Sequence, residues 1–396
     1  MNVIVTTEQR FDRTPDGQVW TSGSFAYPFW TRYLAVFDSV QILARVRNVL
    51  VPPPGFRLVS GSKVTFAGVP NYVGPEQYLL RRAGIRAATV KAVQNSDAVI
   101  LRVPGQVGSC IARCLRRIGR PYAVEVVGDP YDVFAPGAVR HPLRPFFRRS
   151  GTWSLRLQCA GACAACYVTE HALQRRYPPG PKAFATSCSD VELPAAAFVS
   201  VPRTSMPDGR ARLIFVGSLA QLYKAPDVLI DAVGVCVRDG LNIELVLVGD
   251  GRYQPTVEAR VLALGLGNRV HMCGHLTTPE AVRAELDQAH LFVLPSRVEG
   301  LPRAMVEAMA RGLPCLGSTI GGIPELILAE DLVPPGDAPA LAQKIHEVIT
   351  DPARMARMSA RNLAKAKGYS DVILTSQRQA FYQHLRACNE AWLKGK

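Results

Sequence analysis

The segment LFVLPSRVEGLPRAMVEAMARGLPCLGST (residues 291–319) decides the fold. LFVLPS (291–296) is a short apolar run of strand length, and a loop carrying charge, Gly300 and Pro302 follows it. PRAMVEAMARG (302–312) then repeats its apolar residues at helical spacing, with the Gly and Pro marking its start. PCLGST (314–319) is the next apolar run. Strand, loop, helix and strand in such close succession form a βαβ unit, which requires parallel pairing.

Outward from this unit the alternation continues. Toward the N terminus, RLIFVGSL (212–219) reads as a strand, DVLIDAVGVCV (227–237) as a helix and IELVLVGDG (243–251) as a strand ending in Gly. A helix near 254–264, a strand RVHMCG (269–274) and a helix PEAVRAELDQA (279–289) complete the run. Such regularity predicts a doubly wound α/β sheet. The N-terminal half alternates less cleanly: strands at NVIVTT (2–7), SVQILARV (39–46), DAVILRVP (97–104) and YAVEVV (122–127), a helix across 107–118, and CYVTEHALQRRY (166–177) as strand running into helix through Thr169. The Pro-, Ser- and Gly-bearing stretch SVPRTSMPDGR (200–210) has no periodicity and predicts the domain boundary, while the tail (361–393) is helical in pattern.

With 396 residues the chain has room for two or three domains, and its 48% hydrophobic and 20% charged composition excludes disorder. MNVIVTTEQRF lacks the pattern of a signal peptide, and no run approaches the ~18 apolar residues of a membrane span, so a cytoplasmic protein is expected. Cys159, Cys163 and Cys166 cluster without a second CxxC or a spaced His pair; they are read as reduced thiols in a core, with no metal site. The net charge of +14 is lopsided: residues 1–205 hold 25 Lys and Arg against 12 Asp and Glu, and the remainder 21 against 20. An anionic partner facing the first half, or a merely solvated basic face, accounts for such asymmetry.

Ligands of open α/β sheets lie beyond the carboxyl ends of the strands, so the loops FVGSLAQLYK (215–224), LPSRVEGLPRAMVEA (294–308) and STIGGIPE (318–325) carry the chemistry. Glu299 falls in the loop after a strand, and Glu307 in the first or second turn of the helix that follows. Free amides at a helix start attract phosphate, and a carboxylate beside them accepts hydrogen bonds from a vicinal diol. Lys224 can set an ammonium against a diphosphate. Gly321 and Gly322 allow close backbone approach, a property shared with any tight turn.

The order FVGSL, LYK, VLVGDG, VHMCGHL, FVLPSRVEGLPRAMVEAMARGLPCL, STIGGIPE, spanning about 110 residues and including the Glu-x7-Glu pair, resembles the group 1, or family 4, glycosyltransferases. The resemblance implies the α/β GT-B fold, two Rossmann-like doubly wound domains facing a central cleft: an acceptor domain at 1–204, a nucleotide-sugar domain at 205–375, and a C-terminal helix at 376–396 packing back onto the first. It implies retaining transfer from a nucleotide-diphosphate sugar. Lys224 would contact the diphosphate together with the Gly217–Ser218 turn, Glu299 the donor sugar and Glu307 the ribose. The amides around Gly300, Leu301, Arg303 and Ala304 would face phosphate and sugar.

Two departures stand out. Many relatives carry Arg where this chain has Ser218, which leaves Lys224 to be joined by another base such as Arg303. Many place His after the strand corresponding to YAVEVV, where this chain reads VVGDPYDVF; Asp129 and Asp132 are the polar groups there, Asp129 either assisting the acceptor hydroxyl or capping a turn before Pro130. In the loop at 13–27, Gly17 would let amides approach the donor phosphates, and Trp20 and Tyr27 would stack on a sugar, Trp20 being equally suited to a core.

The expected function is a hexosyltransferase moving a sugar from a UDP- or GDP-sugar to a glycan or lipid-linked acceptor in bacterial polysaccharide or glycoconjugate assembly. No Asp-x-Asp occurs, so no metal cofactor is expected. A sugar-nucleotide epimerase on the same scaffold is the alternative, and nucleic acid is not expected as a partner because no recognised module is present. The clusters ARCLRRIGR (112–120) and RHPLRPFFRRS (140–150) add arginines beside apolar residues, and suggest a peripheral position at the inner face of an anionic membrane.

Overall fold

The computed structural model describes residues 1–23, 25–94, 96–135, 141–204 and 209–395. The chain forms two compact units. The first comprises Met1–Pro130, Arg149–Cys188 and Thr375–Lys396; the second comprises Tyr131–Arg148 and Ser189–Leu374. Against a division at 204/205, the second unit thus takes in 189–204 and an excursion at 131–148.

The first unit's strands are β1 (Asn2–Arg13), β2 (Val19–Thr21), β3 (Ser39–Asn48), β4 (Arg57–Leu58), β5 (Val64–Pro70), β6 (Ala98–Val103), β7 (Ala123–Val126), β8 (Ala164–Tyr167) and β9 (Phe184–Ser187). Seven pair in parallel in the order β5-β3-β1-β6-β7-β8-β9; β2 pairs antiparallel with the last residues of β1, and β4 antiparallel with β2. Helices α1 (Tyr27–Thr31), α2 (Gly74–Gln94), α3 (Gln106–Arg117), α4 (Pro130–Val133), α5 (Arg144–Ala160) and α6 (Ala172–Arg176) connect them. Strand residues such as Ile4, Val99, Leu101 and Val124 pack against Ile111, Leu115 and Leu155 of α3 and α5. The first strand outruns its expected end at residue 7: after an irregularity between Thr6 and Arg10 it keeps its pairing with β3 to Arg13 and turns into a hairpin with β2.

The second unit holds β10 (Ala211–Val216), β11 (Ile243–Val248), β12 (Val270–Gly274), β13 (Leu291–Leu294), β14 (Cys315–Ser318) and β15 (Leu332–Val333), all parallel, in the order β12-β11-β10-β13-β14-β15. Its helices are α7 (Pro226–Arg238), α8 (Gln254–Ala263), α9 (Pro279–Gln288), α10 (Arg303–Ala310), α11 (Ile323–Leu326), α12 (Ala338–Ile349) and α13 (Pro352–Lys367). α14 (Asp371–Lys394) closes the chain and belongs to the first unit from Thr375 onward. The strand interiors are fully buried, as expected of a parallel sheet covered on both faces: Leu213, Ile214, Leu245, Val246, Leu291, Phe292 and Val293 have no exposed surface. Local chemistry sets the helix starts. Thr278, Asp337 and Asp351 each accept an amide three residues on, satisfying donors left open in a first turn. Among the described residues, no helix is long and apolar enough to cross a membrane.

Candidate active site

In the second unit the strand order reverses between β10 and β13: β11 and β12 lie on one side, β14 and β15 on the other. This is the crevice where an open sheet can hold a ligand, because the loops leaving the two central strands diverge. Lys224 stands at the end of the loop after β10, in a 3-10 turn at Leu222–Lys224, and Glu299 in the loop after β13.

Close backbone contacts lock these loops together. Gly249, just past β11, has φ +135°, and a Cβ there would lie 2.0 Å from the carbonyl oxygen of Gly217. Gly321 has φ +58°, and its Cβ would meet the Glu299 carbonyl oxygen at 2.1 Å. No side chain fits at either position without moving backbone. The amide of Leu219 donates to Asp250 O (2.7 Å), and that of Gly322 to Gly300 O (2.6 Å). Arg297 ties the two central loops: its amide donates to Tyr223 O (2.7 Å), and its guanidinium donates to Leu222 O (3.0 Å) and to both carboxylate oxygens of Asp227 (2.8 Å each). This bidentate pair fixes orientation as well as distance. The lysine stem crosses Gly217, whose added Cβ would sit 2.5 Å from Lys224 Cδ.

The frame brings Lys224 and Glu299 into a direct ion pair, Nζ to Oε1 at 2.5 Å. Ser296 Oγ donates to the same Oε1 (3.1 Å), and Ser318 Oγ donates to Ser296 O (2.6 Å); both serines are fully buried. Among the described residues Oε2 of Glu299 has no hydrogen-bond partner, so one oxygen is fixed and the other is left to accept from a ligand hydroxyl. Lys224, the residue expected to contact the diphosphate, is paired with Glu299.

Glu307 lies on the second turn of α10, partly buried, and its carboxyl has no hydrogen bond among the described residues. Burial pushes its pKa up, opposed by the nearby Arg303 and Arg283. α10 begins without a side-chain cap; Leu301 is buried before it, Arg303 exposed and Ala304 half-buried at its first positions. Its first amides carry the positive end of the helix dipole, a suitable seat for phosphate. Ser218 is exposed, and its hydroxyl accepts from the Ala220 amide at 3.2 Å. The sequence motifs singled out Glu299, Glu307 and Lys224, with Arg303 as a candidate second base. Ser296, Ser318, Arg297 and Asp227 were not: their only signal was to sit beside or between the motif residues.

The first unit treats its expected site residues differently. Gly17 (φ +83°) makes the β1–β2 turn, and its amide donates to Thr14 O at 2.9 Å, so this amide serves the hairpin rather than a phosphate. Trp20 lies on β2 with Nε1 donating to Thr14 Oγ1 (3.2 Å). Tyr27 opens α1 and donates to Ser62 O (3.0 Å). The expected loop at 13–27 is thus a hairpin followed by a helix. Asp129 is buried after β7, and both its oxygens are engaged: Arg176 donates to Oδ2, Tyr177 Oη to Oδ1. Asp132 lies in α4, within the excursion that groups with the second unit. At this unit's own reversal point, between β1 and β6, stands Glu8, which no motif announced. Its Oε1 accepts the Val107 amide at the start of α3 and its Oε2 accepts Tyr72 Oη, each at 2.8 Å. Gly105 leaves the room: a Cβ there would strike Glu8 Cγ at 2.6 Å. Among the described residues no group of three or more His, Cys, Asp or Glu is placed to hold a metal ion.

The family described as glycosyl transferases group 1 matches residues 210–351, which contain this whole frame. Protein CapJ of Staphylococcus aureus is 27% identical over 378 residues, covering 93% of this chain and 92% of that one. The amylovoran biosynthesis glycosyltransferase AmsK of Erwinia amylovora is 34% identical over 140 residues, 33% of this chain and 34% of AmsK. Among solved structures, Anabaena Alr3699/HepE in complex with UDP-glucose superposes with a TM-score of 0.65 at 17% identity, over 96% of this chain and 98% of that one. Two doubly wound parallel sheets, a lysine–glutamate pair at the second sheet's reversal point and these likenesses converge: the chain is a glycosyltransferase of GT-B fold whose residues 210–351 match the group 1 family.

Proposed function

We propose that the protein transfers a hexose from a UDP- or GDP-sugar, with retention of anomeric configuration, to a glycan or lipid-linked acceptor in bacterial polysaccharide or glycoconjugate assembly. The observation that carries this reading is Glu299: one oxygen is pinned by Lys224 and Ser296, and the other is open at the reversal point. A donor diphosphate entering there meets Lys224 and the amides of α10, while Oε2 takes a sugar hydroxyl and Glu307 the ribose diol. The ammonium and amides stabilise the charge that grows on the leaving diphosphate, in place from the start and needing no reorganisation. AmsK, by its name a glycosyltransferase of amylovoran biosynthesis, and the UDP-glucose complex of HepE support this reading.

No Asp-x-Asp occurs in the chain. Turnover is therefore expected to survive EDTA; abolition by EDTA with rescue by magnesium or manganese would show that a metal carries the diphosphate. Calorimetry against a panel of UDP-, GDP-, ADP- and TDP-sugars tests the donor, with one nucleotide expected to bind well above the rest. Product anomers read by NMR test retention. Incubation with donor alone separates transfer from epimerisation: an epimerised nucleotide sugar would replace the transferase reading.

A further inference from the structure

The first unit's charge is concentrated by its topology. α2 carries four Lys or Arg, α3 three, and the 149–160 part of α5 two; Glu76 is the single acidic residue among them. The strands β5, β6, β7 and β8 follow one another in one direction across the sheet, so right-handed connections put α2, α3 and α5 on the same face. Side-chain contacts hold them together. Arg116 of α3 donates to Leu157 O of α5 (3.2 Å), Gln158 of α5 donates to Ser109 of α3 (3.1 Å), and Arg120, just past α3, donates to Val93 O of α2 (2.9 Å).

Each helix buries residues on its inner side, Ile85 and Val93, Ile111 and Leu115, and Leu155 and Cys159. The outer side presents Arg113, Arg117 and Arg149, none in an ion pair among the described residues. Large apolar groups stand out among them: Leu80 is 86% exposed and Trp153 61%. Like charges crowded on one face repel one another in water, and exposed Leu and Trp side chains have nothing to bury against; a partner that supplies both anions and an apolar phase relieves both costs. The other expected basic cluster is arranged differently. Arg144 donates to Phe134 O (3.1 Å), Arg148 lies 3.5 Å over the Tyr131 ring, and Phe147 packs on Phe134, while Arg140 lies outside the described residues.

We propose that the α2–α3–α5 face of the first unit docks on an anionic lipid bilayer, its arginines on headgroup phosphates and Leu80 and Trp153 in the interfacial layer. A soluble polyanion or a nucleic acid satisfies the arginines and leaves Leu80 in water; a bilayer interface accepts both. The surface is independent of which sugar is transferred, and its test reads binding, so its failure would leave the donor assignment standing.

The full chain is spun with vesicles of phosphatidylglycerol and phosphatidylcholine, or of phosphatidylcholine alone, at low salt. It should pellet with the anionic vesicles only, and be released near about 0.5 M salt. Joint replacement Arg113→Glu, Arg117→Glu and Arg149→Glu should weaken binding by about 100-fold or more. Leu80→Ser with Trp153→Ser should weaken it by about tenfold. All five side chains project from helix surfaces, and unchanged thermal unfolding of the variants checks the fold. Brominated lipid should quench tryptophan fluorescence, and Trp153→Phe should remove most of that quenching. A chain that stays in the supernatant, or pellets equally with neutral vesicles, overturns the proposal. So does binding untouched by the Leu80/Trp153 change and fully displaced by inorganic polyphosphate, which would mark a soluble-polyanion site.

Discussion

Glu299 and Asp129 are built alike and placed differently. Each is a buried carboxylate just past a parallel strand, β13 in one unit and β7 in the other; Lys224 and Ser296 hold Glu299, and Arg176 and Tyr177 are among the groups that hold Asp129. β13 borders the reversal point of its sheet, whereas β7 lies beyond β6, off the reversal point of its own. Glu299's two partners share one oxygen; Asp129's take one each. A carboxylate with an open oxygen in a crevice is equipped to receive a ligand, and one with both oxygens engaged ties α6 and its flank to the sheet. Both are buried carboxylates held by a cation and a hydroxyl, so position in the topology is what distinguishes them.

The largest effect that would sharpen this contrast is Glu299→Gln. Turnover should fall by roughly two orders of magnitude or more, with affinity for the nucleotide diphosphate within a few-fold. Parallel loss of both in calorimetry and steady-state kinetics would reduce Glu299 to a strut like Asp129. Asp129→Asn should show the reverse pattern: a stability loss of about 1–3 kcal/mol in denaturant unfolding, because Arg176 and Tyr177 lose a charged partner in a buried place. If the folded Asn variant loses turnover as deeply as Glu299→Gln, Asp129 belongs to the chemistry and the contrast breaks.

Lys224→Ala should weaken nucleotide diphosphate binding by about tenfold or more, the cost of one charged hydrogen bond. Unchanged affinity would mean that the ion pair with Glu299 is its whole role. The smallest effect is expected at Glu307. Its folded pKa is raised by burial, so the stability linked to its protonated form is present at acid pH and lost as pH rises through that pKa. Glu307→Gln should therefore raise the melting temperature slightly near neutral pH and leave it unchanged at about pH 4, while nucleotide affinity falls a few-fold. A variant that melts lower at neutral pH would show that the carboxylate supports the fold instead.

The second sheet was legible because parallel strands buried on both faces are apolar runs, as LFVLPS and VLVGDG show, and because its frame depends on glycines and prolines that stand out at Gly249, Gly300, Pro302 and Gly321. The first half was harder to read. α2 exposes Leu79 and Leu80 and has no clean apolar stripe, β1 continues through an irregularity that hides its length, and the 13–27 stretch folds locally into a hairpin that reads as a loop. The residues missed at the site act through contacts between segments far apart in the chain. Arg297 meets Asp227 seventy positions away, and Ser318 meets Ser296 across neighbouring strands. No periodicity reports such pairs.

The backbone contact of Gly249 with Gly217, and of Gly321 with Glu299, has a consequence for swapping parts between transferases. Each glycine is one half of a lock whose other half lies on a different loop, so a single loop taken from a homologue would arrive without its counterpart. Exchange of donor preference should succeed when residues 215–325 travel as one cassette, and should give poorly folded chimeras when one loop is grafted alone. Variation that tunes the sugar is then left to side chains projecting from the cassette, while the cassette's own backbone is inherited whole.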